Sequence, residues 1–386
     1  MIKMTFKKHL FIGTLLGITI LTLGACSSQS QSVSKSHTNF EELSESGKID
    51  LTYATMFSAK KYGDYTLINI ADEDNYLLVP EGMEVPYNLP EDTLVLQQPL
   101  DETYLVSTSV MDLLRQLGVL DRVQFSGTQE KDWYVEEAAE AMKEGSILYA
   151  GRYSAPDYEL LLSQNCDLAI ENTMIYHNPD VKEKLEELNI PVLVEYSSYE
   201  GHPLGRLEWI KLYGCLFGKE EEAKQYFDAQ CEALLPIMEQ EKTGKSIAFF
   251  YVTSNGAVNV RKPNDYIAQM IELAGGSYAL NSVLVEEENA LSTMNMQMED
   301  FYAAARDADI LIYNSTIDGE LENIDELLEK SMLFADFKAV KENRVYCTSK
   351  NFFQESTGIA EFMEDLHLAM TEETQTFTYL NKLERK

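Results

Sequence analysis

Two apolar runs recur in the chain with the same frame around them. Asp167-Leu-Ala-Ile-Glu-Asn-Thr173 and Asp309-Ile-Leu-Ile-Tyr-Asn-Ser315 are each entered through an aspartate and left through an asparagine and a hydroxyl residue. A short unbroken apolar run is the pattern of a parallel strand covered on both faces, and its polar exit marks the end that opens onto a loop. Each run follows a helical stretch with a carboxylate near its start, Glu159 in 156–163 and Glu299 in 297–306. Two such units, separated by a long helical segment, predict two similar α/β lobes whose strand ends face one cleft.

The rest of the chain fits around this pair. Residues 51–96 are β-like, with strands expected at 65–70, 76–79 and 93–96, and Pro80, Pro86 and Pro90 exclude helix between the last two. Next come a helix over 107–117 ended by Gly118, a strand at 123–126, a helix at 133–143, a strand at 147–150, the first paired strand, a helix at 179–188 and a strand at 191–195. This alternation calls for a largely parallel sheet with helices on its faces. Residues 203–242 are helical, with Gly214 and Gly218 separating a helix to about 217 from a second beginning at 219. A second series follows: a strand at 246–252, a helix at 265–273 stopped by Gly275-Gly276, the second paired strand, a helix at 324–329, a strand at 344–347, a loop over 351–354 and a closing helix from 358. The expected organisation is a lobe over 49–202, a helical connector over 203–243 and a second lobe over 244–386.

The N-terminal end adds a compartment. Lys7 and Lys8 precede an apolar run over 10–23, the length of a secretory signal core and short of the ~20 residues that span a bilayer. The run ends in Leu23-Gly24-Ala25-Cys26, which resembles the lipobox of bacterial lipoproteins. The resemblance implies cleavage after Ala25, acylation of Cys26 and attachment to a membrane, since acyl chains contribute ~0.8 kcal/mol per buried CH₂. Residues 26–48, rich in Ser and Gln, read as a flexible tether. A net charge of −33 suits an extracytoplasmic protein and disfavours nucleic acid and phosphate-rich partners. Cys166, Cys215, Cys231 and Cys347 show no C-x-x-C pair and no zinc spacing. Their even number permits disulfides, whereas the apolar neighbours of the first three favour free buried thiols, the reading taken here.

Gly151-x-Tyr-Ser-x-Pro-Asp-x-Glu-x-Leu-Leu162 ahead of Cys166-Asp-Leu-Ala-Ile170 resembles the siderophore- and corrinoid-binding proteins of ABC importers. So do Leu113-Leu-Arg-Gln-Leu-Gly118, Leu188-Asn-Ile-Pro-Val-Leu-Val194 and Ile271-Glu-Leu-Ala-Gly-Gly276, and the likeness runs from about residue 94 to about 370. It implies an α/β fold of two three-layer lobes joined by a single long helix, with the ligand in the cleft between them. It also implies a monomeric, non-enzymatic, membrane-anchored binding component. This component would deliver a ferric siderophore, haem or corrinoid to an ABC permease in the cytoplasmic membrane, with iron present only within the cargo. Residues 51–92 depart from the family's usual start and read as a local elaboration. In that family a surface glutamate on each lobe docks onto permease arginines. Glu159, eight residues before Asp167, matches the first position. Glu299 stands ten before Asp309, two more than usual, which leaves Asp300 or a shifted register open. The alternative is that both are acids at helix N-termini, placed for the macrodipole.

Ligand contacts are expected from loops that follow strands: Trp133, Tyr134, Tyr149, Arg152, Tyr153, Tyr176, His177, Tyr196, His202 and Arg206 in the first half, and Tyr251, Arg261, Tyr313, Asn351 and Phe352 in the second. Glu171, Asn172 and Asn314 join them from the exits of the paired strands. Aromatic walls with a few cations suit a planar or catecholate ligand bearing carboxylates. Arg152 and Arg261 stand out because cations are scarce. Arg206 either reaches the ligand or braces its own helix, and His177 and His202 either ligate iron or are structural. A bare metal ion would need several converging His and carboxylates, and with only His177, His202 and His367 in the folded region no metal site is assigned. An exported enzyme is the other rival, but no Gly-x-Ser-x-Gly, His-Glu-x-x-His or phosphate-cradling glycine loop occurs, and a paired-carboxylate hydrolase has no support.

Overall fold

The structure is a computed structural model that describes residues 38–283, 292–371 and 376–386. The expected signal segment, Cys26 and the expected tether up to residue 37 lie outside the described residues; the remainder of that stretch, 38–48, is ordered rather than a free tether, with Phe40 buried and Gly47 and Lys48 paired to Lys61 and Lys60.

The paired runs form the strands expected of them. β11 (Leu168–Asn172) lies between β12 (Val192–Glu195) and β6 (Thr103–Leu105), and β7 (Val123–Ser126) and β8 (Leu148–Tyr149) complete an all-parallel sheet in the order β12-β11-β6-β7-β8. Side chains alternate across it. Leu168 and Ile170 point into a core shared with α1 (Thr108–Gln116), whereas Ala169, Val192 and Val194 pack with Leu161 of α3 (Tyr158–Ser163) and with Val181 and Leu185 of α4 (Pro179–Glu187). Helix α2 (Glu136–Glu144) adds Ala138 to the first of these cores. The result is a three-layer lobe. A small hairpin, β9 (Gly151–Arg152) with β10 (Ala155–Pro156), follows β8.

The second lobe is built on β13 (Ser246–Val252), β17 (Ile310–Tyr313) and β18 (Val345–Thr348), mutually parallel, with every residue of β17 and β18 buried. Antiparallel strands β14 (Val258–Arg261), β16 (Thr293–Met296) and β19 (Leu380–Lys382) extend the sheet, and β15 (Ser277–Tyr278) pairs beside β13. These strands were not expected: they are short and carry polar residues, so they lack a strong apolar signal. Helices α8 (Tyr266–Leu273), α9 (Met298–Ala305), α10 (Ser315–Asp318), α11 (Ile324–Lys330), α12 (Lys338–Lys341) and α13 (Ile359–Thr371) accompany the sheet.

The aspartates that open the paired strands do the same job in each lobe. Asp167 Oδ2 accepts from the N–H groups of Asp101 (2.7 Å) and Glu102 (3.0 Å), just ahead of β6, and Asp309 Oδ2 accepts from Ser246 N (2.9 Å), where β13 begins. Each ties the head of its strand to the head of the neighbour. Their electrostatics differ. Burial raises the Asp167 carboxyl to about 6 against its backbone donors. At Asp309 burial is outweighed by Lys338 (2.8 Å) and the Ser246 N–H, which hold the carboxyl at about 2.

The helical connector has its long helix, α7 (Glu220–Met238), where the second helix was expected, and the helix expected before it is divided into α5 (Pro203–Glu208) and α6 (Ile210–Leu216). Gly214 lets α6 and α7 close up, since a Cβ there would sit 2.6 Å from that of Ala223. Residues 47–97 form a sheet of their own, β1 (Gly47–Lys48), β2 (Phe57–Tyr62), β3 (Tyr65–Ile70), β4 (Asp74–Val79) and β5 (Thr93–Gln97), in that order. It is pinned to the connector. Glu208, fully buried, accepts from the backbone N–H groups of Thr52, Tyr53 and Ala54 and pairs with Lys211 (2.7 Å), while Glu200 accepts from Thr55, Met56 and the Trp209 indole. The four cysteines of the described residues are free, and burial pushes Cys166 and Cys215 up to about 12.

Candidate functional site

In both lobes the helices that precede parallel strands begin at the end where those strands finish, so the loops after β6, β7, β8, β11 and β12 and those after β13, β17 and β18 share one cleft. The lobes touch there directly. Gln354 reaches from the second lobe to Tyr134 N (2.8 Å) and Asp132 O (2.9 Å), Ser356 Oγ donates to Ser109 O (2.7 Å), and Thr357 donates to the buried Asp112 carboxylate from N (2.8 Å) and Oγ1 (2.6 Å).

Three of the expected residues converge at this junction. Arg206, buried on α5, stacks its guanidinium 4.7 Å from the ring of Tyr266 and makes no ion pair among the described residues. Arg261, at the end of β14, lies 5.5 Å from the same ring and 5.0 Å from that of Phe353, with Asp265 at 3.4 Å. Phe352 packs against Phe353 (4.7 Å) and Phe362 (4.0 Å). Cation, ring, cation and ring thus form one ladder across the base of the cleft. The space between Arg206, Tyr266, Phe352, Phe353 and Ser356 holds about 10 Å³, about one water. A shallow depression beside it brings Arg261 together with Tyr251 and Asn314. Two larger cavities, of about 220 and 210 Å³, lie beside the first sheet and the connector, away from the cleft loops.

On the first lobe Tyr149 and Tyr176 are exposed, Tyr196 donates to Tyr176 across 3.0 Å, and Arg152, exposed in the β9–β10 hairpin, has no ion pair among the described residues. Tyr153 is half-buried against the helix-side core. Glu159 and Glu299 are both exposed in the first turns of α3 and α9, at the cleft end of their lobes.

Several expected contacts have other work. Trp133 is buried, and its indole donates to Ser126 Oγ (3.1 Å), so it supports the β7 loop from behind. Glu171 points away from the cleft, following Ala169 by alternation, and is fully buried under the helical layer, with neither carboxyl oxygen hydrogen-bonded among the described residues. Burial raises its carboxyl to about 8. Asn172 and Asn314 cap the turns after their strands, accepting from Met174 N (2.9 Å) and Thr316 N (3.1 Å). His202 caps α5 through Nδ1, accepting from Leu204 N (3.1 Å), and stacks on Tyr53 (4.5 Å), which places it against the first sheet. Tyr266, Phe353 and Gln354 were not singled out. The first two read as ordinary apolar positions of a helix and a loop, and Gln354 carries no local signal, because its partners lie more than 200 residues away. Among the described residues no group of three or more His, Cys, Asp or Glu is placed to hold a metal ion.

Similar proteins share this architecture. An uncharacterized lipoprotein of Methanocaldococcus jannaschii is 26% identical over 223 residues, 58% of this chain and 52% of the relative, so the match spans about half of that protein. The structure of a possible iron-binding, periplasmic solute-binding protein from Staphylococcus epidermidis superposes with a TM-score of 0.53 at 18% identity, covering 69% of this chain and 97% of that one. A periplasmic heme-binding protein from Pseudomonas aeruginosa gives a TM-score of 0.57 at 14% identity, covering 74% and 99%. These superpositions establish the fold, that of the two-lobed periplasmic binding proteins. The match to a known family begins at Leu105, after the first sheet, and takes in both lobes: over residues 105–351 the chain belongs to the periplasmic binding protein family.

Proposed function

We propose that the protein is the substrate-binding component of an ABC importer, anchored through acylated Cys26, and that its cargo is an anionic iron chelate, a ferric siderophore or haem, in preference to a corrinoid. The observation that carries the ligand class is the pair Arg206 and Arg261, whose guanidiniums lie 4.7 and 5.5 Å from the ring of Tyr266. Two guanidiniums held side by side in an acidic protein, each backed by a ring, suit a planar ligand bearing carboxylates or catecholates. A corrinoid, whose periphery is mostly amide, makes less use of them. Relatives described as lipoproteins and neighbours described as iron- or heme-binding support the same reading. A bare ion finds no ligand cluster among the described residues.

The full chain titrated with a ferric catecholate siderophore, haemin, cobalamin and divalent metals should show saturable quenching of intrinsic fluorescence by an anionic chelate. Arg206→Gln with Arg261→Gln should weaken that binding by ten- to hundredfold, the range for losing one or two charge-assisted bonds. Saturable binding of a bare divalent metal alone would overturn the proposal. Glu159→Ala with Glu299→Ala should leave cargo affinity intact and abolish stimulation of the permease's ATPase; undiminished stimulation would refute docking through these carboxylates.

A further inference from the structure

The loop after β18 crosses the cleft and bonds to the first lobe through Gln354, Ser356 and Thr357, and its two ends differ in character. At its inner end Thr357 N and Oγ1 both reach Asp112, which is fully buried and also held by Arg115 (2.6 Å). At its outer end Gln354, half-buried, uses its one amide group in both directions: Oε1 accepts from Tyr134 N and Nε2 donates to Asp132 O. Its neighbour Phe353 backs Arg261, and Tyr134 follows Trp133, so one side chain fixes the spacing between the two walls of the cleft. With the walls so spaced, the junction holds no more than a water.

We propose that Gln354 is a positioning residue, a breakable clasp that sets the aperture of the empty cleft, and that the lobes part by releasing Asp132 and Tyr134 while pivoting about the buried Asp112–Thr357 contact. The inner contact is shielded from water and charge-assisted, hence the more costly to break. The outer bonds are neutral and reached by solvent, so water replaces them readily when they open. Cargo enters when the clasp is open. This goes beyond the importer role and does not depend on the identity of the cargo, so its test uses none.

Amide hydrogen exchange on the full chain reads both ends of the loop. The Tyr134 amide is bonded to the Gln354 side chain and the Thr357 amide to Asp112, so their protection reports clasp and pivot separately. Gln354→Ala should speed exchange at Tyr134 roughly tenfold, the factor for about 1.4 kcal/mol of lost bonding, and leave Thr357 within twofold. Gln354→Asn keeps the amide but is one methylene too short, and should match the alanine variant. Acrylamide quenching should rise in both variants through Trp133, since Trp209, the other of the two tryptophans, is fully buried in the connector. Unchanged exchange at Tyr134, equal acceleration at Tyr134 and Thr357, or wild-type behaviour of Gln354→Asn would each overturn the proposal.

Discussion

Glu171→Gln should stabilise the protein at neutral pH and leave it nearly unchanged in mild acid. The carboxyl group sits on the helix-facing side of β11, no donor among the described residues bonds to either oxygen, and its charge is felt by the Tyr104 and Tyr158 phenols. Burial raises it from 4.5 to about 8. A carboxyl raised in the folded state is protonated there while the unfolded chain ionises, so folding takes up a proton between these values. Stability is therefore undiminished below 4.5, falls as pH rises toward 8, and falls no further beyond. At 1.36 kcal/mol per unit, the penalty at pH 7 is about 3 kcal/mol, and at pH 8.5 about 5 kcal/mol. Glutamine has nearly the same shape and, like the neutral acid, leaves its polar atoms unpaired, so it removes the pH-dependent part alone. Denaturant unfolding of both proteins at pH 4.5, 7 and 8.5 isolates the site, because every other titration cancels in the difference. The gap should open from below about 1 kcal/mol to several. Parallel stability curves would show that the carboxyl titrates normally and that the burial reasoning fails.

Two further substitutions probe the frame of the site. Asp309→Asn removes the partner of Lys338 and Ser246; because the carboxyl is held at about 2, below its ordinary 3.8, its contribution is present above the ordinary value and fades as pH falls toward 2. A loss of about 1–2 kcal/mol at pH 7, discounted for partial exposure, should vanish in strong acid, as measured by denaturant midpoints at both pH values. Gly151→Ala should cost about 2–4 kcal/mol and lower the thermal midpoint by several degrees, because φ is +83° and a Cβ would lie 2.2 Å from Ala155 O; an unchanged midpoint would show that the β9–β10 hairpin relaxes freely.

How much of this was legible depends on how local each signal is. The paired strands were plain because parallel strands buried on both faces need unbroken apolar runs, and the Asp and Asn at their ends stood out against them. The roles of those ends were only half visible. Asp167 and Asp309 bond to backbone that lies 63 to 66 residues away in sequence, and Asn172 and Asn314 suit a helix cap as well as they suit a ligand. Glu171 shows the limit of pattern reading most clearly: its position at a strand exit suggested the cleft, but alternation along β11 turns it to the opposite face. Arg206 suited a brace for its own helix as well as it suited a ligand, whereas Arg261 was visible because cations are rare in this chain, as was Arg152. Tyr266 was not, because a tyrosine in the first turn of an apolar helix is indistinguishable in sequence from core.

The first sheet carries the same lesson into the energetics. Three of its five strands, β3, β4 and β5, were legible and β1 and β2 were not, and nothing local showed where the sheet would attach. The attachment is made by Glu200 and Glu208, about 150 residues downstream, whose carboxylates accept from five successive backbone N–H groups, those of Thr52 to Met56. Carboxylates buried this deeply are tolerable only when their oxygens are saturated with donors, and here the donors are the peptide groups of the incoming chain, with the Lys211 ammonium and the Trp209 indole completing the set. Each partner would be costly to bury alone: the peptide N–H groups would lose water without replacement, and the carboxylates would be charges without counterpart. Sheet and connector therefore stabilise one another, which is why a segment outside the family match behaves as part of one compact unit with the two lobes. With the start of the connector held so firmly, movement between the lobes falls to the contacts made by 354–357, and the half-buried neutral bonds of Gln354 are the first that thermal motion can open.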